Sequence, residues 1–183
     1  MKWKLLNSEY LHKEPWLTVR KDKAETPDGK IVDAYYVHEY PDWVNAVALT
    51  EDGKIIMVKQ YRHAIGRTLI EIPGGTLDDT DPDPEFGMRR ELLEETGYAF
   101  DNMISMGAVS ANPSTNTNLT HMFLATGGKK VQEQQLDHNE DIEVILMTVG
   151  EVKALLMGNQ IIQSLHATCL FYALEKLGEI KFK

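Results

Sequence analysis

Three glutamates, Glu91, Glu94 and Glu95, stand three and four positions apart in the run Arg90-Glu91-Leu92-Leu93-Glu94-Glu95-Thr96-Gly97. At helical spacing they share a face, with side chains about 5–6 Å apart. At an effective dielectric constant of about 20, each pair of like charges at that distance costs about 3 kcal/mol. A hard divalent cation relieves this repulsion. Mg²⁺ takes oxygen ligands and keeps water or substrate phosphate in its remaining positions. There it neutralises a diphosphate and polarises it for attack by water. Upstream, Gly74-Gly75 offers a tight bend, followed by an acidic loop from Asp78 to Asp83. Taken alone, the helix is explained equally well as a solvated acidic face with Arg90 as its internal ion-pair partner.

The elements that must position these residues follow from turn and cap signals. Pro84 opens the helix, with Asp83 as its cap and Glu85 in the first turn, where the helix dipole favours negative charge. Gly97 ends it. Upstream, Trp43–Leu49 is an apolar strand and Glu51-Asp52-Gly53-Lys54 a hairpin turn. Residues 54–62 form the partner strand, and residues 68–72 a short strand stopped by Pro73-Gly74-Gly75. Downstream, strands are expected over residues 103–109, 119–126 and 142–149, then helices over 151–157 and 161–177. Before Pro41-Asp42, residues 16–20 and 31–38 read as the arms of a hairpin around the turn Thr26-Pro27-Asp28-Gly29. The expectation is an α+β chain: a small N-terminal β region over residues 1–41, then one larger domain over residues 42–183.

The segment from Gly75 to Tyr98 resembles the Nudix box, G-x5-E-x7-R-E-U-x-E-E-x-G-U, where U is a bulky aliphatic residue. Gly75 matches the first glycine, and Arg90, Glu91, Leu92, Glu94, Glu95 and Gly97 match the second half without a gap. Three departures stand out. Asp81 replaces the loop glutamate, eight residues instead of seven separate it from Arg90, and Tyr98 takes the last aliphatic position. Gly87 also falls inside the helix, where it costs about 1 kcal/mol relative to alanine. Further segments are similar to the ADP-ribose pyrophosphatase branch of this family. These are Val58-Lys59-Gln60-Tyr61-Arg62, Glu71-Ile72-Pro73-Gly74-Gly75, Pro113 sixteen residues past Gly97, and Asn139-Glu140-Asp141-Ile142-Glu143.

The resemblance implies an α/β/α sandwich around a mixed sheet. It implies hydrolysis of ADP-ribose to AMP and ribose 5-phosphate, dependent on Mg²⁺ or alternatively Mn²⁺. A nucleotide sugar such as GDP-mannose is the alternative substrate, and a catalytically silent ligand-sensing domain the alternative role. Glu91, Glu94, Glu95 and a backbone carbonyl near Gly74 would hold the metal, with Arg90 orienting the carboxylates. Glu140 in the late acidic loop is the expected base; His138, at a position where relatives often carry glutamate, is its rival. Arg62 would hold phosphate, or else form a surface ion pair. Glu71 would hydrogen-bond substrate or metal water, or else serve structure alone. Trp16, Tyr35 and Tyr36 are candidates to stack on the base, though aromatics in a hairpin also serve packing. The N-terminal region would be shared between the subunits of a homodimer.

Bulk properties set the remaining bounds. With 183 residues, 43% hydrophobic and 26% charged, the chain can bury a core without disulfides or structural metal. Its net charge of -9 would repel a nucleic-acid backbone. No apolar run reaches membrane-spanning length, and the opening MKWKLLNSEY lacks a leader pattern. The single cysteine, Cys169, excludes an internal disulfide and fits a cytoplasmic location.

Overall fold

The computed structural model describes residues 1–138 and 140–181. Near the N-terminus, Pro15-Trp16 and Thr26-Pro27-Asp28-Gly29 act as turns between three strands, β1 (Lys4–Glu14), β2 (Leu17–Glu25) and β3 (Ile31–Glu39). They form an antiparallel sheet in the order β1-β2-β3. β1 goes beyond the expected hairpin. Every one of its residues is exposed, so no alternation of burial marked it in the sequence. Together with the excursion Ser110–Leu119 these strands make one compact unit, Met1–Asp42 plus Ser110–Leu119. The His38 amide donates to the Thr115 carbonyl (2.7 Å), the Thr117 amide to the His38 carbonyl (3.1 Å), and the Tyr35 hydroxyl to the Ser114 carbonyl (2.6 Å).

The second unit comprises Trp43–Val109 and the described chain from Thr120 onward. Its strands are β4 (Trp43–Thr50), β5 (Ile55–Arg62), β6 (Arg67–Glu71), β7 (Gly74–Thr76), β8 (Tyr98–Ala99), β9 (Asn102–Val109), β10 (Thr120–Lys130) and β11 (Ile142–Met147). The central path runs β11-β5-β4-β10-β8, with β6 on β5, β7 on β4 and β9 on β10. The β4–β10 pair is parallel and the others antiparallel, so the sheet is mixed. Its helices are α1 (Pro84–Thr96), α2 (Val149–Met157) and α3 (Ser164–Lys176).

β4 is apolar on both faces because both are covered. Val44, Ala46 and Ala48 cluster with Met88 and Leu92 of α1. Val47 faces the other way, into a cluster with Val152 and Leu156 of α2 and Leu170, Ala173 and Leu174 of α3. The sheet is therefore the middle layer of an α/β/α sandwich, as expected for an α+β chain.

α1 begins and ends where its cap residues dictate. The Asp83 carboxylate accepts from the Phe86 amide (2.9 Å), Pro84 opens the helix, and Gly97 closes it at φ +77° with its amide donating to the Leu93 carbonyl (2.9 Å). α3 starts at Ser164, later than the apolar spacing suggests. The Gln163 side chain accepts from the Leu165 amide (2.6 Å), and this cap sets the boundary. The Pro73-Gly74-Gly75 stop is also more than a stop, since Gly74–Thr76 pairs with Trp43, Val44 and Asn45 as β7. No helix among the described residues is long and apolar enough to cross a membrane.

Candidate active site

β7 lays the glycine bend against α1. A Cβ on Gly75 would overlap the Glu91 carboxylate, and one on Gly74 would overlap the Val44 carbonyl and the Asn45 side chain. Both glycines are thus close-approach positions: the first admits Glu91, the second admits β4. The Gly74 amide donates to Glu95 Oε2 (3.1 Å). Glu91 and Glu95, one helical turn apart, are buried, with 9% and 5% of their surface exposed.

Burial governs the electrostatics. It pushes Glu91 up to about 7, opposed by the Arg90 guanidinium and reinforced by the charges of Glu94 and Glu140. It also raises Glu95 well above the carboxylate range, with Glu91 and Glu140 adding to the rise and the Gly74 amide and Arg62 opposing it. Glu94 sits at the solvent edge and pairs with Arg90 (2.9 Å).

Arg90 is the hub of this arrangement. Its Nε and Nη2 reach the two oxygens of Asp81 (3.2 and 2.9 Å), Nη1 reaches Glu91 (3.0 Å) and Glu94 (2.9 Å), and Nη2 also donates to the Thr76 carbonyl (3.1 Å). Five contacts match the five N–H donors of a guanidinium. Its Asp81 pair is the main cause of both shifts: Arg90 is held firmly protonated, and Asp81 lies below the usual carboxylate range. Asp81, shorter than the glutamate of the family pattern and one residue farther from Arg90, still forms a two-oxygen clamp. Gly87 makes room for it, since a Cβ there would meet Leu77 and Asp81. The helix-interior glycine and the altered loop therefore belong to one local solution.

A second ion pair flanks the bend. Glu71, almost fully buried, accepts from Arg62 Nε (3.0 Å) and Nη2 (2.6 Å), while its Oε1 has no partner. Asn45, beside Gly74, donates to the Leu165 carbonyl (3.4 Å) and leaves its buried Oδ1 without a partner. A polar residue within an apolar strand was the available signal for Asn45. On the far side, Glu140 is half-buried and its Oε2 accepts from the Asp137 amide (3.0 Å); its neighbour His138 is exposed. Asn139 lies outside the described residues. Trp16 stands exposed in the β1–β2 turn and Tyr36 is exposed on β3. Tyr35 meets Trp3 edge-on (5.9 Å between centroids) and lines a cavity of about 390 Å³ with Trp3, Leu5, Arg20 and Asp22. The structure thus groups Gly74, Glu91, Glu94, Glu95 and Arg90. It places Arg62 and Glu140 within electrostatic reach of Glu95, and keeps Trp16 and Tyr35 in the other unit.

Two buried carboxylates with raised proton affinity, beside a third at the rim, suit a hard cation with oxygen ligands. Among the described residues no three such groups already converge on one point. Glu94 is turned onto Arg90, Glu95 onto the Gly74 amide and Glu140 onto the Asp137 amide.

Residues 39–168 match the NUDIX domain, and residues 3–38 match the nucleoside diphosphate sugar hydrolase N-terminal domain. The chain belongs to the Nudix family. Its catalytic class is accordingly that of a Nudix hydrolase, in a family whose members generally need divalent cations. The chain is 34% identical to the ADP-ribose pyrophosphatase of Bacillus subtilis (strain 168) over 152 residues, 82% of this chain and 81% of that one. It is 30% identical to the ADP-ribose pyrophosphatase of Mycobacterium tuberculosis over 161 residues, 87% and 77%. To the GDP-mannose pyrophosphatase of Yersinia enterocolitica it is 26% identical over 168 residues, 85% and 86%. The crystal structure of an ADP compounds hydrolase shares the fold, with a TM-score of 0.84 over 98% of both chains at 19% identity.

Proposed function

We propose that this Nudix hydrolase cleaves the diphosphate of ADP-ribose, giving AMP and ribose 5-phosphate. The observation that carries the reading is the pair Glu91 and Glu95, buried one turn apart beneath the Gly74-Gly75 bend, together with ADP-ribose pyrophosphatases among the relatives. Glu91, Glu94, Glu95 and the Gly74 carbonyl would hold Mg²⁺, or Mn²⁺ in its place. The ion, when bound, neutralises the diphosphate and acidifies water near it.

The remaining roles fall to side chains. Arg90, wholly engaged with Asp81, Thr76, Glu91 and Glu94, orients carboxylates and does not touch substrate. Arg62, its fork fixed by Glu71, would bind phosphate. Glu140 would take the proton of the attacking water, since its charge is felt at both Glu91 and Glu95, whereas His138 is exposed in the loop. The cavity lined by Trp3 and Tyr35 supports stacking on the base, and Trp16 is a second platform. The division at residues 41 and 42, and pairing of two copies through the N-terminal sheet, belong to the same proposal. β1 leaves Leu5, Leu6, Tyr10 and Leu11 exposed along it. The buried lone thiol of Cys169 fits a cytoplasmic enzyme.

GDP-mannose is the second reading, favoured by the relative from Yersinia enterocolitica. The deciding experiment incubates the protein with Mg²⁺ and, in parallel, ADP-ribose or GDP-mannose, with Glu95→Gln as the control. AMP formation abolished in the variant is expected. Faster turnover of GDP-mannose would reassign the substrate, and undiminished cleavage by Glu95→Gln would remove the metal argument.

A further inference from the structure

The last carbonyls of an α-helix have no partner within it and must find one elsewhere. In α1 those partners come from the loop that leads to Glu140. The Val131 and Gln132 amides donate to the Gly97 carbonyl (2.9 and 3.3 Å), and the Gln135 amide donates to the Glu94 carbonyl (2.8 Å). Gly97 lets this loop close in, since a Cβ there would overlap the Gln132 carbonyl. The Glu95 carbonyl is taken by a side chain, Gln134 Nε2, at 2.6 Å, and the same nitrogen donates to the Ile142 carbonyl at 3.0 Å. Two carbonyl acceptors fix which way the amide faces and use both its hydrogens.

The two acceptors differ in kind. Glu95 belongs to the carboxylate pair on α1. Ile142 opens β11 and follows Glu140 by two residues, with its own position set by pairing opposite Gln60 of β5. The half-buried Gln134 therefore spans from the carboxylate helix to the exit of the loop that carries Glu140. Between these anchors the Glu140 amide donates to the Asp137 carbonyl (3.0 Å) and Glu140 Oε2 accepts from the Asp137 amide (3.0 Å).

We propose that Gln134 is a positioning residue, a strut whose amide holds the Glu140 loop in register with the Glu91–Glu95 carboxylates. Its catalytic consequence rests on the role given to Glu140 above; its structural part does not. Gln134→Leu keeps the bulk and removes both donors, and Gln134→Met, of equal reach, replaces it if the leucine variant does not fold. Amide hydrogen exchange across residues 136–143 is expected to quicken about tenfold or more, with β10 unchanged. Against ADP-ribose, kcat is expected to fall about 10- to 100-fold while KM stays within about threefold. In a Glu140→Gln background the same change should cost less than about threefold further, because the strut acts through Glu140. Unchanged exchange in residues 136–143 would overturn the strut. A loss that multiplies in full with that of Glu140→Gln, or a Glu140→Gln enzyme as fast as the parent, would overturn its catalytic role. Failure of the parent protein to cleave ADP-ribose would fall on the proposed function instead, and the exchange measurement would still judge Gln134.

Discussion

Without divalent cation, the buried pair Glu91 and Glu95 should make the fold less stable as pH rises, and replacing Glu91 should remove its share of that dependence. Burial lifts the Glu91 pKa from an ordinary 4.5 to about 7. The folded chain thus binds this proton more tightly than the unfolded one. The stabilisation is complete below the unfolded value and is lost as pH climbs through about 7. Between about pH 5 and about pH 8 the loss comes to roughly 2.5 kcal/mol, or about 5–10 °C in Tm for a chain of this size. His166 works in the opposite sense. Burial holds it down at about 3, so its contribution is lost as pH falls below the ordinary 6.5. Comparing the parent with Glu91→Gln cancels that contribution. Urea unfolding of both proteins in EDTA, at the two pH values, is the assay. The variant should gain roughly 2.5 kcal/mol on the parent in going from about pH 5 to about pH 8. Mg²⁺ at about a hundredfold excess over its Kd should return about 2.7 kcal/mol to the parent at the higher pH, and less at the lower, where ligands are protonated. A stability difference that stays constant within about 0.5 kcal/mol across the range would refute the burial argument.

Three other outcomes follow from local geometry. Asp81→Ala should destabilise by about 2 kcal/mol, since it strips the two-oxygen clamp from an Arg90 that still keeps Glu91, Glu94 and the Thr76 carbonyl, and should weaken Mg²⁺ affinity measured by titration calorimetry. Gly97→Ala and Gly53→Ala place alanine at nearly the same positive φ, +77° and +78°, but only the first meets backbone, the Gln132 carbonyl. Thermal melts should show about 1 kcal/mol lost at Gly53 and at least about 2 kcal/mol at Gly97, where overpacking adds to the conformational penalty. Cys169, with its thiol pushed up to about 12 by burial, should resist a thiol-specific dye in the native protein and react within seconds in denaturant.

The box helix was legible because its signals are local. Asp83, Pro84 and Gly97 mark its ends through their own side chains and backbone preferences, and the spacing of Glu91, Glu94 and Glu95 fixes their common turn. The depth of those glutamates was not legible. Glu91 and Glu95 are buried and Glu94 is not, a distinction made by the overlying Gly74–Thr76 strand. β1 escaped notice because none of its residues is buried. Gln134 gave no signal at all, since its importance comes from two carbonyls that only the folded chain brings within reach. The departures around Asp81 and Gly87 looked like independent blemishes in a motif, and the structure joins them through one crowded contact.

The smaller unit is assembled from two stretches that the chain delivers at different times. Residues 1–42 leave the ribosome well before Ser110–Leu119, which supply Ser114, Thr115 and Thr117 as hydrogen-bond partners for Tyr35 and His38. The first three strands must wait, incompletely partnered, while residues 43–109 are made. A fragment cut after residue 42 would carry the whole β1-β2-β3 sheet and still lack the segment that ties down its last strand.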